Sequence, residues 1–254
     1  MRIGFLGTGE ITAAMVRGLA GQGHTILVSP RNAATAATLA AELPEVTIAP
    51  NDAVVANSDT VFLCLLARVA TEALPTLPFR AGQSVISVMV DAPLATLRQL
   101  CAPATDIAIT IPLPPITTGG CPLPVYPESP ALDALFGARN LILPQPSEQA
   151  LNAHLGASAL CSPILDQLLT TTEWLTDHTG NPAAAEAYIA AMIRGYLPER
   201  AAEGDLAEAL KKLSTEGGLN ATLRAAMAPA KETLHHGLTA FHTRLGLNDP
   251  KGRT

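Results

Sequence analysis

"IGFLGTGEITAAMVRG", residues 3–18, decides how the front of this chain folds. A short apolar run, Arg2–Leu6, breaks at Gly7-Thr8-Gly9 and gives way to a stretch suited to helix, Glu10–Gly21. A strand that turns at once into a helix needs a tight turn, and Gly7 permits it. Gly9 leaves no Cβ in the way of a pyrophosphate, and the new helix offers free N–H groups and a partial positive charge there. Small Ala14 and Gly18 would let the helix lie close on a sheet. The third glycine of the GxGxxG pattern is replaced by Thr12, and Glu10 puts a carboxylate where a phosphate would come. Placed between a first strand and a first helix, the pair points to dinucleotide binding; the bland alternative is a structural turn.

Outward from this stretch the same rhythm continues. Further apolar runs, each short enough for a strand, are Thr25–Ser29, Val46–Ala49, Thr60–Leu66, Ser84–Val88 and Asp106–Thr110. Helical stretches separate them: Ala33–Glu42, Asp52–Ala56, Ala70–Leu77 and Pro93–Leu100. Continuous apolar strands alternating with helices predict a mostly parallel, doubly wound α/β sheet covered on both faces, a Rossmann-type domain over residues 1–147. From Pro112 to Pro130 prolines forbid helix, and the interleaved Ile116, Leu123, Val125 and Tyr126 predict packed loop and edge strand; Asn140–Pro144 reads as one more strand. Residues 148–254 read as an all-α domain. There Gly180 ends one helix, Asn181-Pro182 caps and starts the next, and a last helix carries the stripe Leu234, Leu238, Phe241, Leu245 before Gly246. Trp174 is expected in a core or an interface.

Nearly half of the 254 residues are apolar and the formal net charge is −6, which argues against disorder and against nucleic acid as a partner. The longest apolar run, Val61–Ala67, is far short of the ~20 residues that span a membrane, and no targeting segment is read at the start. Cys64, Cys101, Cys121 and Cys161 have no metal-ligand spacing and read as reduced, mostly buried thiols. The expectation is a soluble, cytoplasmic protein without a metal. His235, His236 and His242 read as a solvated face, and no GxSxG context supports a hydrolase.

The second strand ends "SPRN", where an NAD-preferring domain usually presents an acidic residue to the ribose hydroxyls. Ser29, Arg31 and Asn32 suit a 2′-phosphate instead, because arginine pairs with it through two charge-assisted hydrogen bonds. NADP is therefore favoured, with NAD possible. The competing reading makes Arg31 a solvated loop residue.

With these pieces placed, the chain resembles the pyrroline-5-carboxylate reductase family. The landmarks run in order along nearly the whole length: "IGFLGTGEITAAMVRGL", "SPRN", "NDAVVANSDTVFLCL" from Asn51, "LILPQPSEQALNAHLGASALCSP" and "LSTEGGLNATL" at 213–223. The resemblance implies a Rossmann domain, a helical domain that pairs with a second copy, and hydride transfer from NADPH to a cyclic imine, with a place in proline biosynthesis. By position it implies cofactor contacts from Gly7, Thr8, Gly9, Glu10, Ile11, Ser29, Arg31, Asn32, Asn51, Leu65, Leu66, Val88, Met89 and Pro112. It implies substrate contacts from Leu113, Glu216, Gly217, Gly218, Leu219 and Asn220.

The departures bear on substrate. Ile111-Pro112-Leu113-Pro114-Pro115 stands where the family has Met-Pro-Asn-Thr-Pro, and Glu216-Gly217-Gly218-Leu219-Asn220 where it has Pro-Gly-Gly-Thr-Thr. The threonines are expected to hold imine and carboxylate, so a substrate other than pyrroline-5-carboxylate is implied, with Asn220 as the hydrogen-bonding anchor. The plainer alternative makes Asn220 the N-cap of the next helix. A non-catalytic NADP-binding sensor or partner protein is a second reading. A 3-hydroxyacid dehydrogenase is a third, weakened because no lysine precedes Lys211.

Overall fold

The computed structural model describes residues 1–89, 91–198 and 202–248. The chain divides into two compact units, Met1–Leu155 and Gly156–Thr254.

The first unit opens with β1 (Arg2–Leu6), α1 (Glu10–Leu19), β2 (Thr25–Val28), α2 (Ala33–Glu42), β3 (Val46–Ile48), α3 (Asn51–Ala56) and β4 (Thr60–Leu63). It continues with α4 (Ala67–Ala73), β5 (Ser84–Ser87), α5 (Leu94–Leu100) and β6 (Asp106–Thr110). Then come β7 (Pro122–Tyr126), a short α6 (Pro130–Leu132) running into a π turn over Asp133–Gly137, β8 (Leu141–Pro144) and α7 (Glu148–Ser158). The eight strands form one sheet in the order β3-β2-β1-β4-β5-β6-β7-β8. All neighbours are parallel except β6 and β7. This is the doubly wound order, with the reversal between β1 and β4.

Strict alternation along the strands explains why both faces are covered. Phe5, Phe62, Ile86 and Ala108 enter one core with Met15, Val16 and Leu19 of α1 and Leu39 of α2. Leu6, Val61, Leu63, Val85 and Ile107 enter the other with Val54 and Val55 of α3 and Leu97 of α5. Phe5 and Phe62 are register partners across the reversal, and their rings stack at 4.8 Å while Phe136 meets Phe62 edge-on at 6.1 Å. Each such side chain contributes about 1.5–3 kcal/mol on burial, and the aromatic pairs somewhat more.

Several expectations are corrected. β4 ends at Leu63, so Cys64–Leu66 leave the sheet, and α4 starts at Ala67 rather than Ala70. Gly18 does not bring α1 onto the sheet; a Cβ there would meet the carbonyl oxygen of Ile116 at 2.5 Å, in the 3-10 turn Pro114–Thr117. Thr117 Oγ1 donates to Ala14 O across the same contact. α7 begins right after the expected boundary at 147, yet Leu151 is buried in the first unit's core and Glu148 Oε1 accepts from Leu94 N at 3.0 Å. Those contacts place the division after Leu155.

The second unit holds α8 (Cys161–Thr179), α9 (Pro182–Tyr196), α10 (Asp205–Lys212), α11 (Leu219–Ala226), α12 (Ala228–Thr239) and α13 (Phe241–Leu245). Gly180 closes α8 in the left-handed conformation, φ 68°, and Asn181 Oδ1 accepts from Ala184 N to cap α9. The single last helix expected from the stripe is two, broken at Ala240, with Pro229 in the first turn of α12. Trp174 is 61% exposed, so it belongs to no core of this unit. Among the described residues no helix is long and apolar enough to cross a membrane.

Candidate cofactor cleft

The carboxyl ends of β1, β2, β4 and β5 open onto a cleft of about 480 Å³. Its lining joins Gly7, Thr8, Gly9 and Ile11 to Arg31 and Asn32, to Cys64–Ala67 and to Val88, Met89 and Asp91. Crevices at the reversal of a doubly wound sheet are where such folds bind ligands.

The glycine turn is built for close approach. Gly7 has φ +92°, and a Cβ on it would strike the carbonyl oxygen of Cys64. A Cβ on Gly9 would meet nothing within 4 Å, so the space beside it is open. Gly9 is the N-cap of α1 and makes no side-chain cap bond, which leaves the first N–H groups of the helix to a ligand. Thr12, in the place of the third glycine, is buried and donates through Oγ1 to Gly7 O at 2.8 Å, so its hydroxyl fixes the turn.

Ser29 has a different place from the one expected. It is fully buried, its Oγ accepts from Gly7 N at 2.8 Å, and its carbonyl accepts from the Thr8 hydroxyl. It therefore braces the loop from beneath, while Arg31 is exposed at the cleft. Asn32 lines the cleft and also caps α2, accepting from Thr35 N at 3.3 Å. Asn51 lies in a second cleft of about 490 Å³, which shares Arg31 with the first, so the arginine bridges the two. Glu10 and Pro112 are not part of the first cleft's lining: Glu10 is exposed in the first turn of α1, where its charge suits the helix dipole, and Pro112 is buried. Leu113 is half-buried against the core, and the Cys121 thiol lies 3.4 Å from its N–H.

Reading the sequence missed Cys64, Ala67 and Asp91. Their signal was positional, since each follows the carboxyl end of β4 or β5, where a doubly wound sheet places ligand contacts. Burial pushes the Cys64 thiol up to about 12, with the Thr12 hydroxyl opposing the shift, so this part of the lining is a neutral thiol.

The second glycine pair lies in the helical unit. Gly217 has φ +71°, and Gly218, extended, is the N-cap of α11 without a side-chain cap bond. Asn220 is therefore the second residue of α11, and the alternative that made it the N-cap is corrected. Glu216, Leu219 and Asn220 are exposed, Leu219 at 90%. Arg224 Nη1 donates to Ser214 Oγ at 2.7 Å, tying α11 back to the start of the loop.

Comparison with known proteins fits this geometry. Residues 2–91 match the profile of the family described as "NADP oxidoreductase coenzyme F420-dependent". No curated protein matches the sequence. Among solved structures, the pyrroline carboxylate reductase of Plasmodium falciparum with NADP bound superposes with a TM-score of 0.79 at 13% identity, over 96% of this chain and 97% of that one. The fold is that of the pyrroline-5-carboxylate reductases. The reductase of Coxiella burnetii gives 0.77 at 16% identity, over 96% and 97% of the two chains. A reductive aminase of Aspergillus terreus in complex with NADPH and ethyl-5-oxohexanoate gives 0.61 at 17%, over 97% and 88%. The pyrroline-5-carboxylate reductase fold thus covers both units.

Proposed function

We propose that this chain is an NADPH-dependent reductase of cyclic imines, working as a homodimer paired through its helical unit. The observation that carries the reading is one cleft that combines an open glycine turn, an uncapped helix start and Arg31 at the end of β2. Each feature fits a part of the cofactor: the turn and the α1 N–H groups fit a pyrophosphate, and Arg31 with Asn51 fits a phosphorylated adenosine ribose. The likeness to structures solved with NADP or NADPH supports the same choice.

Gly7, Gly9 and the first N–H groups of α1 would hold the pyrophosphate and Arg31 the 2′-phosphate of NADPH, which when bound would supply the hydride that reduces the C=N bond. What remains for the protein is positioning and exclusion of water. Leu65, Leu66, Val88 and Met89 present apolar surface at the β4 and β5 ends, and a protonated imine already carries the proton its nitrogen will keep. Gly217, Gly218, Leu219 and Asn220 would form the substrate side, with Asn220 as anchor and Leu113 and Leu219 favouring a substrate less polar than pyrroline-5-carboxylate.

A second reading has its own support. Leu113 and the 90%-exposed Leu219 offer no polar contact, as a non-catalytic NADP-binding protein would tolerate. The deciding experiment is titration with NADPH and NADH followed by a panel of cyclic imines of varied ring size and carboxylation. Turnover of uncarboxylated imines with NADPH is expected. Tight NADPH binding with no turnover across the panel would establish the second reading, and efficient reduction of pyrroline-5-carboxylate would overturn the substrate assignment.

A further inference from the structure

The first two residues of the short helix α3, Asn51 and Asp52, line the second cleft. The same lining takes in Thr76 and Leu77, at the end of the 3-10 turn that follows α4. A few residues further along that segment, Arg80 and Gln83 grip the opposite end of α3. Arg80 Nη1 donates to Ala56 O at 2.6 Å and to Val55 O at 3.2 Å, and its Nη2 to Ser58 O at 2.8 Å. Gln83, buried, donates through Nε2 to Val55 O at 2.8 Å and to Ser58 O at 2.9 Å. Its Oε1 accepts from Arg80 N at 3.2 Å, so the two side chains act as one bracket.

Val54 and Val55 fasten α3 to the core, but apolar contact has no direction and lets a helix slide or turn. Hydrogen bonds to the carbonyls at its end fix its place along the axis. At 1.5 Å per residue, α3 is a spacer of about 9 Å between the bracket and Asn51. We infer that Arg80, with Gln83, is a positioning residue for the adenosine end of the cofactor: it fixes α3 and thereby the place of Asn51 in the cleft shared with Arg31. This rests on the cofactor assignment in the reductase reading above. Neither Arg80 nor Gln83 lines either cleft, so their effect passes through α3. The adenosine end is bound alike before and during hydride transfer, so that effect falls on cofactor affinity and KM rather than on kcat. Arg31 meets the 2′-phosphate and separates NADPH from NADH, whereas Arg80 acts on a wall common to both and weakens both.

The test is calorimetry of the whole protein with adenosine 2′,5′-bisphosphate, the adenosine half of NADPH, beside titration with NADPH and NADH. Arg80→Ala is expected to weaken all three about tenfold, the worth of one well-placed hydrogen bond, with kcat at saturating NADPH within about twofold. Arg80→Lys, which reaches a single carbonyl, should recover about threefold of the loss. In a protein already carrying Asn51→Ala, Arg80→Ala should cost less than about twofold more, because the side chain it places is gone. A full tenfold loss in that background overturns the inference, since Arg80 would not be acting through Asn51. Lowered stability to denaturant with unchanged bisphosphate affinity overturns it too, by making the bracket structural alone. A wild type that binds NADPH and reduces no imine sinks the reductase reading, yet a tenfold loss of bisphosphate affinity in Arg80→Ala still upholds the inference. A wild type that binds neither NADPH nor the bisphosphate sinks the cofactor assignment, and the inference falls with it.

Discussion

The two units treat apolar side chains in opposite ways. In the first, alternation along six parallel strands sends every second residue into one of two closed cores, and Phe5, Phe62, Met15 and Leu63 are wholly buried. In the second, only Ala185 and Ile189 among the described apolar residues are buried, while Leu165, Leu169, Tyr188, Leu206 and Leu223 are each more than half exposed. Ordering a residue costs about 1–2 kcal/mol of backbone entropy, which two buried side chains cannot offset across so many helical residues. A helical unit of this kind needs another apolar surface. Its groove of about 650 Å³ between α8 and α12, lined by Leu160, Ile164, Leu234 and Leu238, adds to what is left uncovered.

The largest expected effect follows from that contrast. The intact chain should be a dimer by light scattering at micromolar concentration, and Leu165→Glu with Leu169→Glu on α8 should dissociate it, since each places a charge on the apolar face. Burying two unpaired carboxylates costs several kcal/mol, enough to weaken association by at least roughly a thousandfold. A monomeric wild type would break the comparison, because the second unit would then be stable without a covering surface.

Next in size is Phe62→Ala, which removes the ring stacked on Phe5 at the reversal of the sheet. Its cost should be about 3–5 kcal/mol in denaturant unfolding, independent of protein concentration. Trp174→Ala, at a 61%-exposed position, should cost little in a dilute monomer and more as concentration rises. If both losses are equally insensitive to concentration, Trp174 has no intermolecular role.

The same contrast explains what was legible in the sequence. β1 to β6 and their helices follow from apolar runs and turn residues because each element buries its own face within a few dozen residues. β7 follows from the interleaved Leu123, Val125 and Tyr126 in spite of Pro122 and Pro124, but the expected edge strand is internal, between β6 and β8; it meets β6 at only two register pairs, and Pro124 O accepts from the Thr110 hydroxyl at 2.8 Å. The short helix after it was not read, although Ser129-Pro130 carries its signal: Ser129 Oγ accepts from Leu132 N, and proline suits the first helical position. The glycine turn and Arg31 were readable in the cleft because their chemistry depends on local residue type. Ser29 was misassigned because a hydroxyl's partner is set by tertiary packing, here against Gly7 N. Asp91 carried no motif at all and acquires meaning only from the strand order.

The cofactor reading sharpens the first unit's side of the comparison. Arg31→Ala should weaken NADPH about ten- to hundredfold, the loss of one or two charge-assisted hydrogen bonds, and leave NADH within about twofold. Fluorescence titration of both cofactors checks this. Equal losses for the two would return Arg31 to the role of a solvated loop residue.

The smallest effect separates the units by their thiols. Cys101 is fully buried in the first unit and burial pushes its thiol up to about 12, whereas Cys161 of α8 is exposed. A thiol whose folded value is raised holds its proton in the folded state after the unfolded chain has lost it. Stability is therefore intact below about pH 8.5, the unfolded value, and falls from there towards the folded value, by about 1.4 kcal/mol per pH unit for each such thiol. Cys64, with the same cause and direction, adds to the slope. Cys101→Ala should reduce the slope of unfolding free energy between pH 9 and 11 by about one proton, whatever its cost at neutral pH. Iodoacetamide at neutral pH should label Cys161 in the native protein and reach Cys101 only on unfolding. A Cys101→Ala slope equal to wild type, with Cys101 labelled as fast as Cys161, would mean that the first unit opens as readily as the second, and the contrast between them would not hold in solution.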